Sequence, residues 1–158
     1  MSGAARRHNR GVDRRISATV SASPAETIAA LADLSTYPSW LSLVHGAEPS
    51  SDDDVWDVTL RARLGPLARS KRLRMRRTHL DDTSVRFERD EVDGRDHAAW
   101  KLEATVSPTD AAGDNRSGVS DVVVHLHYSG ALWSTPLEIA LASFEGSAAD
   151  RLDSYLSA

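Results

Sequence analysis

The clearest pattern of apolar and polar positions lies near the C-terminal end. From Thr135 to Leu156, Leu137, Ala140, Leu141, Phe144, Ala148, Leu152 and Tyr155 fall on one stripe at about 100° per residue, with Glu138, Glu145, Asp150 and Asp153 off it. Thr135-Pro136 followed by Glu138 is a capping box with proline in the first turn, which marks where a helix begins. The pattern predicts one amphipathic helix of 22 residues, roughly 33 Å long at about 1.5 Å per residue. Such a helix must lie on an apolar layer.

The preceding chain supplies that layer in strands. Ile16, Ala18 and Val20 alternate with Ser17, Thr19 and Ser21, so Arg15 to Ala22 reads as a first strand. Ser23-Pro24-Ala25-Glu26 is a second capping box, and Ile28, Leu31 and Ala32 make a short helix running to Leu34. A second short helix is predicted from Pro38, contributing Tyr37, Trp40 and Leu41. Strands are then predicted at Val44 to Pro49, Val55 to Leu64, Leu67 to Leu80, Val85 to about Val92, Trp100 to Val106 and Ser120 to Tyr128. They are separated by turns at Ser50 to Asp54, Gly65-Pro66, Asp81 to Thr83 and Asp93-Gly94, and by the polar loop Pro108 to Gly118. One strand, two short helices, six antiparallel strands and a long helix make an α+β layout, with the helices on one face of the sheet.

Composition narrows the function classes. The length of 158 residues suits one domain, expected at 12–158 behind a mobile basic tail at 1–11. A net charge of −4 gives no overall attraction to nucleic acid, and no nucleic-acid partner is expected. The absence of cysteine removes disulfides, thiolate metal sites and cysteine nucleophiles. There is no apolar run of the ~18 residues a membrane span needs and no signal-peptide pattern, so a cytoplasmic protein is expected. No cofactor is indicated, and a monomer or homodimer is expected.

The strand RRISATVSAS, the segment SPAETIAALADLSTYPSWL and the terminal helix resemble the START/Bet v 1-like superfamily, also called SRPBCC or helix-grip. Within it, RARLGPLARSKRLRM and HYSGALWSTPLE are similar to the branch named for an accessory protein of carbon monoxide dehydrogenase, and YPSWL to the polyketide cyclase/dehydrase branch. The resemblance implies a helix-grip fold: a curved antiparallel sheet wrapped around the long C-terminal helix, with two short helices after the first strand. It also implies a deep apolar cavity between sheet and helix for lipids, sterols or polyketides. The candidate walls are Trp56, Val58, Leu60, Leu73, Met75, Phe87, Trp100, Leu102, Val124, Leu126 and Tyr128 from strands, and Leu137, Leu141 and Phe144 from the helix. Taken without the resemblance, the same residues read equally well as a filled core.

Charged and titratable residues divide by parity. His125 and His127, two apart on one strand, share the face opposite Val124 and Leu126, and an outer solvated face is expected rather than a metal site. His79 and His97 fall near turns and are expected at the surface. Eight basic residues and no acid lie between Arg61 and Arg77. A turn at Asp81 to Thr83 sets a register in which Arg76 faces Glu88 and Arg74 faces Asp90, so cross-strand pairs of about 0.2–1 kcal/mol each account for much of this charge. Arg61, Arg63, Arg69 and Lys71 remain over and could serve a partner. Arg77, Arg89 and Glu91 share the inward parity of Met75 and Phe87, where an unpaired charge is costly; an inward Arg89 could hold a ligand carboxylate or phosphate.

Three functions follow. The first is a non-catalytic carrier or sensor of a small hydrophobic molecule. The second is a polyketide cyclase or dehydratase in which Arg89, Glu91 or Tyr128 polarises a carbonyl or moves a proton. The third is an adaptor, resembling the carbon monoxide dehydrogenase branch, that brings the basic hairpin to a membrane or another protein; membrane contact is not favoured. No Ser-His-Asp order, nucleophile elbow or phosphate loop is present.

Overall fold

The alternating segments assemble into one curled antiparallel sheet. The computed structural model describes residues 11–64, 66–109, 118–130 and 147–157. The strands are β1 (Val12–Val20), β2 (Val44–Pro49), β3 (Val55–Leu64), β4 (Leu67–Leu80), β5 (Ser84–Arg89), β6 (Trp100–Pro108) and β7 (Ser120–Tyr128). Their order is β1-β7-β6-β5-β4-β3-β2, so the chain meanders from β2 to β7 and then pairs β7 with β1. With helix α1 (Pro24–Leu31), a 3₁₀ helix (Leu34–Ser39) and the C-terminal helix, α2, described at 147–157, this is the helix-grip α+β fold.

Local chemistry explains the elements. Ser23 caps α1 reciprocally with Glu26: the Ser23 hydroxyl accepts from the Glu26 N–H at 3.1 Å, and the Glu26 carboxylate accepts from the Ser23 N–H at 3.2 Å. The next helix begins at Leu34, not at Pro38 as the proline suggests. Asp33 caps it, accepting from the Ser35 N–H at 3.0 Å, and Pro38 falls inside. The cap sets the start because a carboxylate satisfies an orphan N–H, which proline can only omit. α1 packs on β5 and β6 and the 3₁₀ helix on β2, forming an elbow over the concave face.

The ends of β2, β3, β4 and β7 fall where alternation places them. β1 begins earlier than predicted, at Val12, because Val12 is buried opposite Tyr128. β5 stops at Arg89 rather than near Val92. The Asp90 N–H still reaches the Arg74 carbonyl at 2.8 Å, but Val92 is exposed and the chain loops through 90–99 with Gly94 at φ +74°. Asp93 opens that loop by accepting from the Arg95 N–H at 3.0 Å.

Only the last part of the predicted 22-residue helix lies within the described residues. There Ala148 and Leu152 are buried, Leu156 packs partly against the core and Tyr155 is exposed. The stripe therefore closes on Leu156, one turn beyond Leu152, rather than on Tyr155. Asp153 accepts from the Ser21 N–H at 2.7 Å and ties this helix to the end of β1. None of the described helices is long and apolar enough to cross a membrane.

Candidate ligand site

The concave face carries an aromatic cluster and, beside it, a small cavity. Tyr37 stacks obliquely on Trp40 at 4.8 Å between centroids, and Phe87 stands edge-on to both Tyr37 (6.1 Å) and Trp56 (5.6 Å). Trp100 leans on Tyr128 at 4.4 Å. Next to this cluster Leu34, Leu41, Leu43 and Val44 from the elbow region face Val58, Leu60, Leu73, Met75, Trp100, Leu102 and Leu126 from the sheet across a cavity of about 30 Å³. Every one of these side chains is apolar, and the space equals room for about two waters.

Seven of the expected wall residues therefore border the cavity: Val58, Leu60, Leu73, Met75, Trp100, Leu102 and Leu126. Trp56, Phe87, Val124 and Tyr128 are instead buried in the packed core beside it, engaged in the ring contacts above or in strand pairing. Leu137, Leu141 and Phe144 lie outside the described residues. The four elbow residues were not expected as walls. Their signal was available, since Leu41, Leu43 and Val44 follow the short helices, but nothing in local periodicity shows that the elbow folds back over the sheet.

At one margin of this space stand three charged groups. Arg89, opposite Met75 in the β4–β5 register, has a side chain only 7 % exposed, and its Nε donates to Glu91 Oε2 at 2.7 Å. The same Glu91 oxygen accepts the Arg74 backbone N–H at 3.1 Å, and Arg89 Nη1 points to the Ala98 carbonyl at 3.4 Å. The inward parity of Arg89 and Glu91 thus resolves into a pair. Lys71, opposite Leu60, is partly buried close by; burial lowers its pKa, Arg89 lowers it further, and Glu91 opposes both.

Arg77, also inward by parity, serves the scaffold. Its guanidinium donates to the Ala32 carbonyl at the end of α1 (2.8 Å) and to Asp54 (2.5 Å), with Cζ 5.7 Å from the Trp56 ring centroid. On the opposite, convex face, His125 and His127 are both hydrogen-bonded to Asp13 of β1, at 2.6 and 3.1 Å. The acid missing from the local motif thus comes from the neighbouring strand. Among the described residues, no group of three or more His, Cys, Asp or Glu side chains is arranged to hold a metal ion.

The sequence matches the family model for polyketide cyclase / dehydrase and lipid transport over residues 12–155. The chain belongs to this family. Its members share the SRPBCC, START-like character that the fold displays. Among solved structures, the polyketide cyclase fold is matched by the ZhuI aromatase/cyclase from Streptomyces sp. R1128, with a TM-score of 0.61 at 12 % identity over 93 % of this chain and 94 % of that one. A START superfamily protein from Mycobacterium smegmatis also gives 0.61 at 12 % identity, covering 91 % and 97 %. A protein from Thermus thermophilus gives 0.61 at 15 % identity, covering 92 % and 97 %. These likenesses establish the fold of this polyketide cyclase/dehydrase family member. No curated protein matches the sequence.

Proposed function

We propose that this family member is a cytoplasmic carrier or sensor of a small hydrophobic molecule, lipid-like or polyketide-like, taken up between the elbow, the sheet and the C-terminal helix. The observation that carries the reading is the wholly apolar lining of the cavity, contributed by the elbow region and five strands. The family description, which couples cyclases with lipid transport, supports it. The cyclase alternative needs an acid or base facing the substrate. Among the described residues the lining has none, and the nearest candidates, Arg89 and Glu91, are engaged with each other.

A ligand of this class needs a pocket of roughly 300 Å³ or more, so the walls must part to admit it. Parting is economical here because the contacts broken are apolar on both sides and the ligand replaces them. Native mass spectrometry of the purified protein, followed by thermal melts with fatty acids and polycyclic aromatics, tests the proposal. A retained small molecule is expected, and a saturating ligand should raise the melting temperature by roughly 5–10 °C. No retained molecule and no shift with any ligand would overturn it.

A further inference from the structure

We propose that the ligand is a monoanion, an apolar body ending in a carboxylate, and that Lys71 and Arg89 hold its charged end at the margin of the cavity. The inference rests on the hydrophobic-ligand reading and adds the class of head group.

Two cross-strand pairs place the cations. Lys71 is registered with Leu60 and Arg89 with Met75, and both partners line the cavity. Paired residues project to the same side of a pleated sheet, so both cations stand on the concave face directly beside the apolar wall. Arg89 is almost wholly buried, yet the group around it is not neutral. Two cations share one carboxylate, that of Glu91, which the Arg74 backbone N–H fixes in place. Lys71 makes no hydrogen bond or salt bridge among the described residues.

A partly desolvated site with one surplus positive charge is complementary to a single anion. The depressed pKa of Lys71 reports that surplus: burial and the nearby guanidinium both disfavour its ammonium form. A ligand carboxylate arriving beside it would relieve the repulsion and leave Glu91 with Arg89. Because Glu91 is anchored by a backbone group, the site keeps its shape when empty, and no side chain has to be released before the anion binds.

The test uses matched pairs differing only at the head: dodecanoic acid against dodecanol, and 2-naphthoic acid against 2-naphthalenemethanol, titrated into the full-length protein and followed by calorimetry. The acids should bind about tenfold or more tightly than the alcohols, as expected of a charge-assisted contact. Lys71→Gln should remove about tenfold from the acids and leave the alcohols within about twofold, while Lys71→Arg restores the preference. Should Arg89→Gln fail to fold because Glu91 is left alone, the double change Arg89→Gln with Glu91→Gln keeps the local charge balance and should also erase the preference. Alcohols and acids binding equally to the wild type, or Lys71→Gln weakening both equally, would overturn the head-group assignment while the cavity reading stands. Binding of neither pair would overturn both.

Discussion

Single residues show where the chain commits charge and hydrogen bonds inside the fold. Tyr37 is fully buried in the aromatic cluster, and its hydroxyl donates to the Leu31 carbonyl at 2.9 Å; burial pushes its phenol far above the usual range. Tyr37→Phe removes the donor and leaves that carbonyl short of a partner, so chemical denaturation should show a loss of about 1–2 kcal/mol. A change of only a few tenths would mean that the ring, not the hydroxyl, matters. Asp13 behaves differently because it lies at the surface. Burial acts to raise its pKa, but hydrogen bonds from His127 and His125 outweigh that and lower it. A carboxylate depressed on folding stabilises above its unfolded pKa of about 3.9 and loses that contribution as pH falls through its folded value. Wild type should therefore be more stable than Asp13→Asn at neutral pH, and the gap should close below about pH 4; a gap constant from pH 7 to pH 3 would refute the pairing. The sequence places both histidines on the outer face. It could not show Asp13 between them, because that contact crosses 112 residues of chain.

At the scale of elements, alternation and turn residues were enough to place the strands, since each strand buries one face and ends at Gly, Pro or Asp punctuation. What failed were features set by a single local bond, such as the Asp33 cap that starts the 3₁₀ helix early. The β4–β5 hairpin shows both outcomes. Arg76 is registered with Glu88 as the turn length requires, yet its guanidinium reaches past it to Asp90 at 2.7 Å. The register slips between Arg77 and His79, and Glu88 is occupied instead by the Thr78 hydroxyl at 2.8 Å. Arg74 spans Asp90 at 3.4 Å and Asp52 at 2.5 Å. Most of the basic stretch is thus answered within the molecule, with Arg61 and Arg72 left on the outer face by the same pairing that turns Lys71 inward. Two arginines above a net charge of −4 are a weak membrane anchor. Flotation with vesicles rich in anionic lipid should show little binding. Strong, salt-sensitive binding abolished by Arg61→Glu with Arg72→Glu would instead establish the hairpin as an adaptor surface.

For the whole molecule, the fold was legible because every level of the sequence agreed on it: caps, alternation and the terminal stripe all require helices on one face of a meandering sheet. The candidate site was half legible. Strand parity identifies inward residues, but whether those residues meet across a space or fill it depends on how the elbow closes, and that is a tertiary fact. Val58 and Val85 make the distinction measurable, since both are buried inward strand valines and only Val58 borders the cavity. Enlarging a side chain in solid core forces strain of about 1–3 kcal/mol, whereas enlarging one into free space does not. Val58→Leu should therefore stay within about 1 kcal/mol of wild type in a denaturant melt, and Val85→Leu should lose about 1–3 kcal/mol. The functional consequence runs the other way. Val58→Leu occupies the place where the ligand's apolar body begins, so the thermal shift produced by dodecanoic acid should shrink, while Val85→Leu should keep it on a lowered baseline. Equal destabilisation by both, with an unchanged ligand shift, would show that the cavity is only a packing defect and that any ligand binds elsewhere.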